Sequence, residues 1–447
     1  MDGTSTPKGE KAKTRRGEAT HSEVPWPALT ILALAIFVRF AAMVCLSTYD
    51  FDPSDNYWEA GYETGRIAWH LAEGRGFSME TRMITSREVK PTAWLAPLYP
   101  SVVATVFRLT GSFTRTSIVI ILLFQILMSG LCTVGVYYLC RELFSESAGV
   151  LAGVLLAMSP SSVSLSVRLI WGTTLFTTLL VFLLLILLRL ARQGRPTLGV
   201  TAGILIGALL LLEPAIALFF PCIALWLVAR RGRAGLRAVC LVTVTALLTI
   251  APWSLRNYLM FDRVFFLKSN VGHELFIGNN PLADGFYHRV SGTVGRVLDA
   301  PTLARLETAD EIEISRILGR AATDYIRRNP SIFVKLTIRR IYWFWCLGVA
   351  NWERLPVGGS TQRLVGCVAS FAQASLLVLA GVGLFLGWRY GAETGLPVCL
   401  LLSYPIPYYL THVDTSRYRF PVIPILLIFA SYGVSRTIRK LSKRCAT

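Results

Sequence analysis

The sequence predicts an all-α polytopic membrane protein, a bundle of about ten transmembrane helices with juxtamembrane helices and a mainly helical external loop domain. Three observations predict it. Of 447 residues, 53% are hydrophobic and 16% charged, and the mean hydropathy is +0.52. A soluble domain carries about 25% charged residues, and no soluble protein of this size has an interior able to hide so much apolar chain. Apolar runs recur along the sequence at or near the ~20 residues that a helix needs to span a bilayer. The third is the distribution of the net charge of +18. Basic clusters at 8–16, 189–195, 230–237 and 436–444 fall between or beyond the runs, as positive charge retained in cytoplasmic loops would. The basic balance therefore reads in part as topology, with a further share on the external loop 254–362, which has fourteen bases against ten acids, and no nucleic-acid partner is expected.

The elements follow in order. Residues 1–25 are polar and basic and form a disordered cytoplasmic tail. The run 26–48 is longer than a signal-peptide core and carries Arg39, so it reads as a retained helix leading outward. Further runs at 117–140, 146–166 (interrupted by Pro160), 171–190, 197–212, 214–229 and 236–253 complete an N-terminal membrane module, 26–253. Counting from the basic loop at 189–195 leaves the run 97–110 with both ends on the outer face. Its 14 residues reach only ~21 Å as a helix, which predicts a juxtamembrane or re-entrant element. Runs at 363–388, 396–413 and 419–436 form a C-terminal membrane module, 363–437, followed by a basic cytoplasmic tail, 438–447. Both termini are expected inside.

This topology leaves two external segments, 49–95 and 254–362. Within the second, Ile314, Ile317, Leu318, Ala321 and Tyr325 share one face of a helix over 309–328, with Thr308 and Glu311 at capping-box spacing and Asn329-Pro330 as the stop. At 331–349, Lys335, Arg339 and Arg340 beside Tyr342, Trp343, Phe344 and Trp345 predict an interfacial helix.

The first external segment carries the chemistry-bearing signal. Asp50, Asp52, Asp55, Glu59 and Glu63 lie within 14 residues of a membrane exit, in a chain that is otherwise basic. A helix over 57–73 would turn Thr64, Ile67, Ala68 and Leu71 to the membrane and Glu63, Arg66 and His70 to water. A carboxylate there could act as a general base on an acceptor hydroxyl; the bland alternative is a solvated face with Glu63 paired to Arg66. No CxxC occurs among nine cysteines, and five scattered histidines make no local metal motif. Carboxylates suit Mg²⁺ or Mn²⁺, so the residues themselves leave a divalent metal open, and no other cofactor is indicated.

Several motifs in order carry a family resemblance: Ile67-Ala68-Trp69-His70-Leu71-Ala72-Glu73-Gly74-Arg75-Gly76-Phe77, Pro91-Thr92-Ala93 with Pro97-Leu98-Tyr99-Pro100, Pro252-Trp253-Ser254-Leu255-Arg256-Asn257, Gly278-Asn279-Asn280-Pro281, and Arg417-Tyr418-Arg419-Phe420-Pro421. The chain thereby resembles, over roughly 26–437, the GT-C superfamily of polyprenyl-phosphate-sugar-dependent glycosyltransferases, which includes the protein O-mannosyltransferases and the lipid A aminoarabinose transferases. The resemblance implies transfer of a sugar from a polyprenyl-phosphate donor to a hydroxyl on a glycan, lipid or protein acceptor. It implies a plasma (inner) membrane location with the site on the outer face. The family often places an Asp-Glu pair in the first external loop, where this chain has Ala60 and Gly61. The expected base is therefore Glu63, then Asp55 and Asp52. Arg256, Arg417 and Arg419, with Tyr418, are candidates for the donor phosphate, since a guanidinium fork matches phosphate oxygens; interfacial snorkelling is their bland alternative. Lys90 and Arg87 are weaker candidates. His273, beside Glu274, and Asn279 and Asn280 are candidates for substrate binding, and Glu213-Pro214 reads as structural. The competing function classes are a membrane transporter, which would place ionisable residues at mid-membrane, and a lipid-binding membrane protein without transferase activity.

Overall fold

A computed structural model describes residues 26–50, 62–80, 89–287, 290–346, 359–388, 391–413 and 417–445. Asp52, Asp55 and Arg87 lie outside the described residues, as do residues 1–25, 446–447 and residues 57–61 of the expected first-loop helix.

The chain is almost entirely helical, with a single two-stranded ribbon among the described residues. Helix α1 (Trp26–Cys45) leads to α2 (Tyr62–Ala72), a ribbon of β1 (Ser78–Glu80) and β2 (Val89–Pro91), and α3 (Leu98–Thr110). Then come α4 (Arg115–Leu143), α5 (Glu146–Met158), α6 (Pro160–Val167), α7 (Thr173–Gln193), α8 (Pro196–Leu210), a 3-10 turn (Pro214–Phe219), α9 (Phe220–Arg231) and α10 (Arg233–Phe261). The loop region holds α11 (Val271–Gly278), α12 (Val290–Val297), α13 (Ala300–Thr308), α14 (Glu311–Arg328) and α15 (Pro330–Cys346). Helices α16 (Gly359–Gly387), α17 (Ala392–Ser403), α18 (Ile406–Leu410) and α19 (Ile423–Cys445) close the fold.

Among the described residues, seven helical segments are long and apolar enough to cross a membrane, and the α5–α6 pair, bent by 51°, makes an eighth. The expected count of about ten is reached only by adding α8, a 15-residue apolar helix, and the α17–α18 stretch, whose helices have 12 and 5 residues. The bend falls at Pro160, which cannot donate an amide to the turn before it. Arg39 of α1 completes that gap. Its guanidinium is fully buried and donates to the carbonyls of Leu156 and Ala157 and to the hydroxyls of Ser129 and Ser162. This mid-span charge is thus a structural bolt, satisfied as a buried polar group in lipid must be.

Close helix contacts rest on small residues. A Cβ on Gly203 or Gly207 of α8 would stand 2.6 or 2.5 Å from Thr245 or Thr249 of α10, so these backbones meet only because those side chains are absent. The main core joins α4, α5, α7 to α10 and α17 to α19, and a second joins α2 and α3 to the ends of α1, α4 and α6. A third core, of Phe276, Ile277, Leu306, Ile314 and Leu318, makes the loop region a packed unit.

Three sequence expectations are corrected in detail. Helix α10 does not stop at Pro252 and Trp253 but continues to Phe261, where Asp262 takes the left-handed capping conformation (φ 49°). Helix α14 is capped by Asp310, whose carboxylate accepts from the Glu313 amide, and not by Thr308; this frees Glu311 for another task. In α2, the face expected in water is largely covered. His70 is 1% exposed, Arg66 pairs with Glu80, and Glu63 bonds to Trp94. The burial arises because α2 packs on α3 and the ribbon as well as on the apolar residues below it. By contrast, α3 and α15 form where the juxtamembrane and interfacial helices were expected.

Candidate active site

One end of the bundle holds a cavity of about 1060 Å³. Its walls come from the start of α7, the ends of α8 and α10, the loop before α3, α11, α14 and the segments around α18. That volume exceeds what one sugar ring fills and suits a ligand of several parts.

Glu63 lines this cavity from the first turn of α2. Its Oε1 accepts a hydrogen bond from Trp94 Nε1 at 3.0 Å. Trp94 is held in turn by the segment that carries it. Thr92 Oγ1 accepts from the Trp94 amide at 3.0 Å, and Glu311 of α14 accepts from Thr92 Oγ1 at 2.6 Å and from the Ala93 amide at 2.7 Å. Burial raises the pKa of Glu63 above the ordinary carboxylate range, and the negative charge of Glu274 adds to the rise; Arg417, Lys268 and His273 oppose it. Burial also raises Glu311, against its hydrogen bonds with Thr92, Ala93 and Ser269 and the charge of Arg256. A carboxyl shifted upward toward neutrality is suited to taking and returning a proton.

Glu274, on α11, has the opposite setting. Burial would raise it, but contact with His273 and the charges of His412 and Lys268 prevail and hold it at about 2. Asn270 Nδ2 donates to its Oε1 at 2.9 Å, and His412 Nδ1 stands 3.6 Å from its Oε2. Two carboxylates in one cavity are therefore driven apart in basicity, a pattern that separates acid–base roles.

Also in the cavity wall, the Arg417 guanidinium lies 4.1 Å from the Trp171 ring centroid and donates to the Tyr418 hydroxyl at 3.0 Å. Both residues line the cavity, as do Lys90, Lys268 and Glu213, the last two 3.9 Å apart.

The remaining expected site residues lie elsewhere. Arg256 does not line the cavity; it donates to the carbonyls of Thr92 and Phe77, both at 2.8 Å, with its guanidinium beside the Trp253 ring at 4.9 Å. Arg419 is 7% exposed and donates to the Phe344 carbonyl. Asn279 and Asn280 are buried at the end of α11, where Asn279 donates to the carbonyls of Leu275 and Leu410 and Asn280 to that of Phe276. His273 does line the cavity, edge-on to Trp94 at 4.6 Å. Sequence reading missed Trp94, Lys268, Tyr287 and His412, and took Glu213 as structural. A signal existed for Glu213, the only acid between 147 and 261, and for His412, a polar residue closing an apolar run. Among the described residues, no group of three His, Cys, Asp or Glu is placed to hold a metal ion.

Comparison with known proteins shows what the fold resembles. Along 94% of its length the chain superposes on the oligosaccharyltransferase of Archaeoglobus fulgidus in its apo form, with a TM-score of 0.54 at 16% identity. The same archaeal enzyme, AglB, in complex with an inhibitory peptide and a dolichol-phosphate, matches 94% of the chain with a TM-score of 0.50 at 13% identity. The chain spans about half the length of these enzymes, 51% in each case. ArnT from Cupriavidus metallidurans bound to undecaprenyl phosphate aligns over 91% of this chain and 77% of its own, at 14% identity and a TM-score of 0.38. The fold is that of the GT-C membrane glycosyltransferases. Residues 93–255, from the Trp94 segment into the last third of α10, match the family described as dolichyl-phosphate-mannose-protein mannosyltransferase, in agreement with the resemblance read from the motifs in that stretch. No curated protein matches the chain in sequence.

Proposed function

We propose that the protein is an integral membrane glycosyltransferase that moves a sugar from a polyprenyl-phosphate donor to an acceptor hydroxyl, at a site facing the outer side of the membrane. The observation that carries this reading is the pairing within one cavity of Glu63, a carboxyl raised by burial and held by Trp94, with Arg417 and Tyr418. The fold and the match over 93–255 support the same reaction class.

In the proposed reaction, Glu63 accepts the proton of the acceptor hydroxyl. The freed oxygen lone pair forms the bond to the anomeric carbon. The bond from that carbon to the phosphate oxygen breaks, and its electron pair leaves with the polyprenyl phosphate. Arg417, always protonated, offsets the charge growing on the phosphate, with the Tyr418 hydroxyl as a further donor. Arg256 and Arg419 act through the backbone: Arg256 fixes the Thr92–Trp94 segment behind Glu63, and Arg419 fixes the chain that carries Arg417. Asp55 and Asp52 stand next in line as the base. The acceptor is a hydroxyl on a glycan, lipid or protein, and the location is the plasma membrane with both termini inside.

The test is a transfer assay in membranes with labelled polyprenyl-phosphate sugars, comparing wild type with Glu63→Gln, Asp55→Asn and Asp52→Asn. Sugar-dependent release of polyprenyl phosphate by wild type and its loss in Glu63→Gln are expected. No turnover with any donor would remove the transferase reading; full activity of Glu63→Gln would remove only the base assignment.

A further inference from the structure

Glu274 and its two imidazoles take no part in the proton transfer or in neutralising the phosphate. Their place in the cavity is informative. Contacts run along its wall from the base to the phosphate end without a break. Trp94, which bonds Glu63, packs edge-on against His273; His273 Nδ1 is 3.8 Å from Glu274 Oε1. On the other side of the carboxylate, His412 Nδ1 is 3.6 Å from Oε2, and His412 Nε2 is 3.5 Å from the hydroxyl of Tyr418, the acceptor of the Arg417 hydrogen bond. All of these residues line the one cavity. In the displacement described above, the attacking oxygen and the departing phosphate flank the anomeric carbon. The sugar ring must therefore lie between Glu63 and Arg417, along the stretch of wall that Glu274 occupies.

We propose that Glu274, with His273 and His412, forms the subsite that grips the hydroxyl-bearing ring of the lipid-linked sugar. The inference rests on the transferase reading and adds the residues that recognise the sugar. The chemistry fits a polyhydroxylated ring. A carboxylate is an acceptor only, and its oxygens can each take a sugar hydroxyl beside the bond from Asn270. His273 is 7% exposed, and its Nδ1, 3.8 Å from Glu274 Oε1, is too far for a full hydrogen bond, so a sugar hydroxyl bound to that carboxylate would also come within its reach. Tyr287, 5.3 Å from His412, adds an aromatic wall on the same side. Free hydroxyls of a sugar satisfy these groups; a polyprenyl phosphate without its sugar would not reach them.

The test compares two lipids on the full-length protein in nanodiscs: undecaprenyl phosphate, and undecaprenyl phosphate bearing the sugar that wild type transfers. Glu274→Gln and His412→Gln are expected to bind the sugar-bearing lipid about tenfold or more weakly than wild type, as loss of hydrogen bonds to a charged group implies. Binding of the sugarless lipid should stay within about twofold, which also reports that the variants fold. Equal loss of both lipids in both variants would overturn the subsite, and so would unchanged donor binding with a raised KM for the acceptor. If wild type binds neither lipid, the transferase reading itself falls, and the subsite with it.

Discussion

The two ends of the bundle use their charges in opposite ways. At the end away from the cavity, Arg189 and Arg192 of α7 and Arg230 of α9 converge on two acids, Glu142 and Glu393, with separations of 2.6 to 3.4 Å. Each acid there meets guanidinium groups, and the network ties α4, α7, α9 and α17 together. At the cavity end, Glu63 takes an indole N–H, Glu311 a hydroxyl and a backbone amide, and Glu274 an amide and two imidazoles. Arg417 rests on aromatic faces and bonds a tyrosine hydroxyl. Strong ion pairing fixes structure and quenches basicity. Glu63 and Glu311, held by neutral donors, keep both their position and a capacity to exchange protons, while Glu274, held low by His273, His412 and Lys268, stays an acceptor for ligand hydrogen bonds, and that is the difference between a structural end and a working one.

Substitutions can break this comparison. The largest effect is expected from Glu63→Gln, which should lower transfer by about 10² to 10⁴-fold, the usual worth of a positioned general base, with donor binding retained. Arg417→Ala should follow, at about 10² to 10³-fold in kcat, with Arg417→Lys recovering only part because a point charge replaces a fork. Glu311→Ala should act through position. It strips the acceptor from the Ala93 amide and the Thr92 hydroxyl, so melting in detergent should show a loss of about 1–3 kcal/mol, and transfer should fall with it as Trp94 loosens. Glu393→Gln, at the opposite end, should leave transfer unchanged and cost under about 1 kcal/mol, since its partners are partly exposed. A large activity loss in Glu393→Gln, measured beside Glu63→Gln, would erase the distinction between the two ends.

The pH dependence sharpens it further. Only ionised Glu63 can accept a proton, so transfer should fall as pH drops through its pKa. That limb should lie above the ordinary carboxylate range, first because of burial and then because of the charge on Glu274. Glu274→Gln removes that charge, so the limb should move to lower pH in a rate profile of the residual activity. A limb that stays in place would show that the two carboxylates do not feel each other.

How much of this was legible in the chain depends on range. Helices α1, α4, α7, α10, α16 and α19 follow from apolar runs, and the bend at Pro160 from a missing amide, because both are local properties. The capping of α14 was misread by two residues, since Thr308 and Asp310 both fit an N-cap and only packing decides between them. The cavity pairings were not legible. Glu274 meets His412 across 138 positions of sequence, and Glu311 reaches Thr92 across 219. The acid cluster could be marked from its place after a membrane exit and Glu63 within it only through the family resemblance, whereas its partner Trp94 could not, because nothing in an apolar-rich loop marks which aromatic turns its N–H to a carboxylate. Arginines were over-read for the converse reason. A guanidinium at a helix end fits a lipid phosphate and a backbone carbonyl equally well, and Arg256 and Arg419 hold carbonyls.

The most direct test of the working end is a single-turnover transfer measurement on purified protein preloaded with the labelled polyprenyl-phosphate sugar that wild type uses. The account predicts that Glu63→Gln binds the donor as wild type does and forms product at least about a hundredfold more slowly. Product formation by Glu63→Gln at the wild-type rate, from the same amount of bound donor, would contradict it.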